Sequence, residues 1–316
     1  PLSPSFTMLP LLLIALLPST LGILHGENTT WEEHPYLVKV MSRESNETSP
    51  IACTGTIISP RLILTSTHCV VDKGKKQSEI VVIIPRPSHV SSRKRAEVIQ
   101  YNSTVAILRL INSIPFTELC PAGIPSSRLS SISLHPSLTS SSILPFDWDK
   151  LETTTCRLVA FATSQNVSNF AATREVQTWE VKMEVQEETV IVHRDTKEAS
   201  ACYEDPGAPL ECLVGDGYVQ VGMFNSLVVS GAVDADPSEE TERTKRDAKG
   251  KPLVVAKNGK ENKKDTPKPS PLVRCLSSSH LLFTRLNIND LASIIEKYDF
   301  AGFVKAYDLC RSNNDQ

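Results

Sequence analysis

Eight cysteines, spread from Cys53 to Cys310 with no Cys-x-x-Cys pair among them, constrain this chain more than any other feature. An even number scattered over that span fits a disulfide framework, whereas a zinc ribbon or a redox motif needs close pairs. Disulfides persist in oxidising compartments, and the start of the sequence agrees with such a destination. An apolar run from Leu9 to Leu17 follows Met8, and the small residues Thr20 and Gly22 come after it. That order reads as the core and cleavage site of a signal peptide, with Met8 as initiator, residues 1–7 upstream of it and the cut after Gly22. The run of nine residues is far too short to span a bilayer, which takes roughly 20. Four Asn-x-Ser/Thr sequons, at Asn28, Asn46, Asn102 and Asn166, suit the same route. The expectation is a secreted glycoprotein without a membrane-spanning segment.

From His34 onward, short β-branched runs dominate: Tyr36–Val40, Ile57–Leu64, Ile80–Ile84, Val105–Leu110 and Thr189–Val192. They read as strands. Residues 288–298 instead place Leu291, Ile294, Ile295 and Tyr298 at helical spacing, with Asn289 or Asp290 available to cap the start. Many short strands and one late helix predict an all-β double barrel or sandwich. A Ser/Pro/Leu-rich stretch from Pro125 to Pro145 reads as a connector between two halves. With 316 residues, 40% of them apolar, each half can bury a core of its own. A net charge of −3 with both signs interspersed argues against a dedicated nucleic-acid binder. No cofactor or metal is expected.

One stretch departs from that pattern. Residues 234–268 carry few large apolar side chains and divide into an acidic part and a basic part. Such a composition cannot bury enough surface to offset chain entropy, so it predicts a disordered loop. Within it, Arg243-Thr244-Lys245-Arg246 fits the Arg-x-Lys-Arg pattern read by secretory proprotein convertases, which predicts a cut after Arg246.

The run Cys53-Thr54-Gly55-Thr56-Ile57-Ile58 leading to Leu64-Thr65-Ser66-Thr67-His68-Cys69 resembles the catalytic-histidine segment of trypsin-like (chymotrypsin-family) serine proteases. Further segments follow in that family's order. Ile23-Leu24-His25-Gly26 resembles the mature N-terminus, and Thr104-Val105-Ala106-Ile107-Leu108 the strand that begins with the catalytic aspartate. Cys202-Tyr203-Glu204-Asp205-Pro206-Gly207-Ala208-Pro209 resembles the nucleophile loop, and Leu282-Phe283-Thr284-Arg285 the strand before the terminal helix. The resemblance runs from Ile23 to about Phe300. It implies two six-stranded antiparallel β-barrels and a C-terminal α-helix. The first barrel would cover about 23–118, the connector 119–150, the second barrel about 151–300 with an inserted charged loop at 226–274, and a tail 301–316.

The same resemblance shows what has been replaced. Serine-protease chemistry needs a hydroxyl nucleophile, an imidazole base, a carboxylate to orient it, and two backbone N–H groups for the oxyanion. Of these only His68 is kept. Thr104 stands at the carboxylate position and carries no charge. Pro206 stands at the nucleophile position, with neither a hydroxyl nor an N–H, and Glu204 replaces the glycine of the other oxyanion donor. Losing the nucleophile of a triad enzyme costs on the order of 10⁶ in turnover, and one oxyanion donor roughly 10²–10³. Either loss ends useful proteolysis, so the expectation is a catalytically dead homologue. His68 is then a remnant, or a contact for a partner's acidic group.

By family position the disulfides would be Cys53–Cys69, Cys156–Cys212 and Cys202–Cys275, leaving Cys120 for Cys310. Ser200 would lie at the base of the primary specificity pocket, with Met223, Phe224 and Asn225 along one wall. Without a carboxylate, that base would not favour Lys or Arg side chains. Asp205 would pair with the ammonium of Ile23, exposed by signal-peptide removal without a zymogen step. Three functions follow as expectations. The first is an inactive homologue that binds extracellular proteins such as protease substrates, inhibitors or cascade components. The second is a polyanion-binding or structural protein using the basic loop. The third is a hydrolase with a displaced nucleophile.

Overall fold

A computed structural model describes residues 23, 26–44, 50–86, 91–119, 146–161, 174–194, 200–202, 205–215, 217–229, 275 and 277–314. The N-terminal half contributes β1 (Glu27–Thr30), β2 (Leu37–Arg43), β3 (Ile51–Ile57), β4 (Leu62–Ser66), the short pair β5 (Val71–Asp72) and β6 (Lys75–Lys76), β7 (Glu79–Ile84), β8 (Ser92–Tyr101) and β9 (Val105–Leu110). Six of these close into a barrel in the order β2-β3-β4-β9-β8-β7. Alternation along each strand is the cause. Val38, Val40, Ile80, Val82, Ile84, Val98 and Leu108 point inward and fill the interior. The residues between them on β8 face solvent. The apolar run read as one strand from Ile57 to Leu64 is a hairpin instead. Its turn at Ser59-Pro60 is closed by the Ile58 N–H donating to the Leu62 carbonyl at 3.0 Å, because Pro60 has no N–H to continue a ladder.

The second half supplies β10 (Cys156–Phe161), β11 (Glu175–Val181), β12 (Met183–Gln186), β13 (Thr189–His193), β14 (Pro209–Val214), β15 (Gly217–Val229) and β16 (Ser278–Arg285). Their sheet, which also takes in β1, has the order β1-β11-β10-β14-β15-β16-β13-β12. Among the described residues, hydrogen bonds therefore close only the first of the two expected barrels. In this sheet β12 at one end follows β11, second from the other end, after Lys182 alone. Ser226–Val229, expected in the inserted loop, belong to β15 and pair with β16.

Helices α1 (Phe116–Leu119) and α2 (Trp148–Leu151) are single turns, and α3 (Ile288–Asn314) is long. Asn287 caps α3, its Oδ1 accepting from the N–H groups of Asn289 at 3.0 Å and Asp290 at 3.3 Å. The cap thus lies two or three residues before the positions read from sequence. The helix also continues past Tyr298, through a non-helical residue at Asp299, so most of the expected tail is helical. Its first part packs Leu291, Ile294 and Ile295 against Leu62, Leu64, Ile107 and Met223. Its second part brings Ala306 into the first barrel's core. A helix that leaves the second half thereby straps the first. Among the described residues no helix is long and apolar enough to cross a membrane.

Three of the four expected disulfides are present: Cys53–Cys69, Cys156–Cys212 and Cys202–Cys275, spanning 16, 56 and 73 residues. Bridges over loops of this size contribute roughly 2–4 kcal/mol each. Cys310 is also disulfide-bonded, and its expected partner, Cys120, lies outside the described residues. The two halves meet over Trp31, Tyr36, Leu37, Ala52, Val159, Phe161 and Val176. A buried polar chain crosses beside this contact. The Tyr36 hydroxyl donates to Glu211 Oε1, and His34 Nδ1 lies 2.8 Å from the same hydroxyl. Arg157 donates from Nε to Glu211 Oε2 at 3.1 Å, while its guanidinium stacks 3.7 Å over the Tyr218 ring.

Candidate functional site

His68 sits in the 3-10 turn Thr67–Cys69 at the end of β4, and its ring is exposed. The residues on either side of it tie the turn to the other two positions singled out by sequence. Thr67 donates its N–H to the Thr104 carbonyl at 3.0 Å and its hydroxyl to the Asn102 carbonyl at 2.9 Å. Cys69 Sγ lies 3.6 Å from the Pro206 carbonyl. His68, Thr104 and Pro206, far apart in sequence, therefore converge through their backbones.

Their side chains do not form a relay. Among the described residues the His68 ring makes no hydrogen bond. The Thr104 hydroxyl turns to Asn102 Oδ1 at 3.4 Å, and that oxygen also accepts from the N–H groups of Thr104 at 2.8 Å and Val105 at 2.7 Å. The Asn102 amide thus organises the turn before β9. The loop around Pro206 is equally self-contained. The Pro206 carbonyl accepts from the Thr54 N–H at 3.1 Å, Gly207 donates to the Phe224 carbonyl at 2.8 Å, and Ala208 donates to the Asp205 carbonyl at 2.7 Å. Gly207 is obligatory here. Its φ is +89°, and a Cβ would lie 2.0 Å from the Thr54 carbonyl oxygen, a clash added to a backbone region that L-residues avoid. Pro206 itself has no N–H, and the Gly207 and Ala208 N–H groups are engaged as described. Glu204 lies outside the described residues.

Ser200 is wholly buried, and its hydroxyl is 3.0 Å from the Cys275 carbonyl and 3.3 Å from Ser278 Oγ. The Arg194 guanidinium occupies the same place, Nη1 donating to the carbonyls of Cys275 at 3.1 Å and Ser278 at 3.0 Å. Met223 and Phe224, expected along one wall of the pocket, are both buried. Met223 packs under α3, and Phe224 lies edge-on to Phe283 with ring centroids 5.4 Å apart. Asn225 accepts from the Ser66 hydroxyl at 3.0 Å, linking β15 to β4 just before the His68 turn.

Burial governs the nearby titrations. His34 is pushed down to about 3, first by burial and then by the Arg157 charge. Burial raises the Glu211 carboxyl, against the opposing pull of Tyr36 and Arg157. Lys39, 4.7 Å over the Phe161 ring, is lowered to about 7, again mainly by burial. Sequence reading missed Arg194, Glu211 and this whole set of partners. Their bonds join residues 54 to 175 positions apart in the chain, or 81 to 84 for Arg194, and leave no local pattern.

Of the remaining expected positions, Ile23 is fully buried in the core of the second half. Asp205 is fully buried as well, its Oδ2 accepting the Cys202 N–H at 2.6 Å. The sequon residues Asn28 and Asn102 are exposed, whereas Asn46, Asn166 and Arg246 lie outside the described residues.

Among solved structures, HL collagenase is similar over 87% of this chain and 97% of its own, with a TM-score of 0.51 and 15% identity. At that identity the likeness shows a shared fold. The family model described as Trypsin matches residues 23–237, a span that holds the His68 turn, Thr104 and the Pro206 loop. The chain belongs to the trypsin family.

Proposed function

We propose that this trypsin-family chain is a secreted protein without proteolytic activity, which acts by binding extracellular proteins and so regulates or competes with active proteases. The observation that carries the reading is Pro206. At the position where the family's motif has its nucleophile, it has no hydroxyl to attack and no N–H to stabilise what would form. The Thr104 hydroxyl, engaged with Asn102, gives no charge to support a protonated His68. Disulfides and the segment before Ile23 support the secretory route.

The test is labelling of the secreted protein with a fluorophosphonate probe, beside an active trypsin-family enzyme. No label on the wild type is expected. Restoring the family's residues together, Pro206→Ser, Thr104→Asp and Glu204→Gly, is expected to raise labelling above background, whereas Pro206→Ser alone stays dark. Labelling of the wild type that His68→Ala abolishes would overturn the proposal and establish a displaced nucleophile.

A further inference from the structure

The outer face of the first barrel across β2, β7, β8 and β9 is charged in an unbalanced way. Because alternate residues fill the barrel, Arg43, Glu79, Arg93, Arg95, Glu97 and Arg109 share the outward side. The register sets Arg43 opposite Glu79, Val81 opposite Arg95 and Glu97 opposite Arg109. Four guanidinium groups thus meet two carboxylates on one sheet face. Arg93 and Arg95 are exposed, and among the described residues their side chains make no hydrogen bond or ion pair. The other two arginines are held only by solvent-facing pairs. Arg43 meets Glu79 at 2.6 Å with both side chains about half exposed, and Arg109 pairs with Glu97 in the same manner. Such pairs are worth about 0–1 kcal/mol each, so they yield readily to a stronger anion.

We propose that this face binds a sulfated polysaccharide. Guanidinium groups suit the planar, two-point recognition of oxyanions better than ammonium groups do. Residues two apart on a strand lie about 7 Å apart and neighbouring strands about 4.8 Å apart. The four cations therefore form a patch, and they match a polymer with repeated anionic groups better than a single ion. The patch stands on a closed barrel whose interior is packed, so little ordering is needed on binding. Its apolar content is small: Met41 and Val81 are the half-buried residues at its middle. A protein partner would have little to anchor on. The Arg43 and Arg95 charges both reach Glu79 and hold its carboxyl below the usual range, the Arg43 hydrogen bond being the larger cause. The chain as a whole has a net charge of −3, so overall attraction to a polyanion is not expected and a local surface must supply it. Polysaccharide binding at this face is independent of the loss of catalysis proposed above.

The full secreted protein is run on immobilised heparin and on a plain sulfonate cation exchanger. Two variants are compared with it, Arg93→Ser/Arg95→Ser and one in which Arg243, Lys245 and Arg246 become serine. Expected is elution of the wild type from heparin well above about 0.15 M salt, and later than from the sulfonate resin. The Arg93/Arg95 variant loses that difference, with affinity for soluble heparin down about tenfold or more. The Arg243/Lys245/Arg246 variant keeps it. Co-elution of the Arg93/Arg95 variant with the wild type, flow-through of the wild type, or equal binding to duplex DNA or an acidic peptide would each overturn the proposal.

Discussion

A neutral imidazole buried between two halves of a protein is a built-in acid sensitivity, and His34 is such a group. It is 3% exposed, with Nδ1 2.8 Å from the Tyr36 hydroxyl, whose proton goes to Glu211. The hydroxyl oxygen then accepts from His34 Nδ1–H, which fixes the neutral tautomer. The folded value of about 3 lies below the ordinary 6.5. The unfolded chain therefore takes up the proton first, and stability is lost as pH falls from about 6.5 towards 3. Each pH unit in that window costs at most about 1.4 kcal/mol. Glu211 acts in the opposite sense, because its raised carboxyl favours the fold as it protonates. Urea unfolding at pH 7 and about 4.5 separates the two contributions. The wild type is expected to lose roughly 2–3 kcal/mol more between those conditions than His34→Gln, which keeps a donor for Tyr36 and cannot titrate. Equal losses in both proteins would exclude His34 as the cause.

Among the elements, α3 shows how a side chain can interrupt a helix without ending it. Asp299 has φ −158° and ψ 35° within the helical run. Its Oδ2 accepts from the Ser59 hydroxyl at 2.6 Å and from the Arg61 N–H at 3.0 Å, at the β3–β4 turn. The kink lets the second part of the helix reach the first barrel, and Gly302 makes room for it, since a Cβ there would lie 2.4 Å from Asp299 Oδ1. Burial raises the Asp299 carboxyl, and the Ser59 and Arg61 contacts oppose it. Asp299→Ala removes the acceptor of the Ser59 hydroxyl and one of two acceptors of the Arg61 N–H, whose other is Ser59 Oγ at 3.2 Å, and is expected to destabilise by about 1–3 kcal/mol. It should also speed amide exchange in residues 300–314 ahead of the strands. A change within about 0.5 kcal/mol, with exchange unaltered, would show that the latch contributes nothing. This element also shows where sequence reading ends. Leu291, Ile294 and Ile295 announce a helix by their spacing, but that pattern ends at Tyr298, and the partners of Asp299 lie about 240 residues away. β9 is legible to the residue because its β-branched enrichment is local, whereas reading Ile57 to Leu64 as one strand passes over the Ser59-Pro60-Arg61 turn signal within it.

For the whole molecule, the same division separates what a motif carries from what tertiary contact adds. His68 and Pro206 are legible because cysteines flank their segments, and Thr104 because it begins a recognisable strand motif; the residues beside His68 touch both of the others. The bonds of the buried Arg194 to Cys275 and Ser278 are not legible, since no motif reports a partner 81 to 84 residues away. Ile23 joins the two levels. It is fully buried among Leu158, Ala160, Ala208 and Leu210, and the loop that precedes Pro206 holds the fully buried Asp205. A cut after Gly22 would create an ammonium on Ile23, and a charge in that core requires an opposite one. Asp205 supplies it in our reading. The secreted protein is therefore expected to begin at Ile23. Asp205→Asn should then destabilise it by about 3–5 kcal/mol, the cost of leaving one partner of a buried pair alone. In a form that keeps residues before Ile23 there is no ammonium to strand, and the same substitution should be close to neutral. N-terminal sequencing with thermal unfolding of both forms decides the matter. A different first residue, or the same effect of Asp205→Asn with and without the upstream segment, would rule out the pairing.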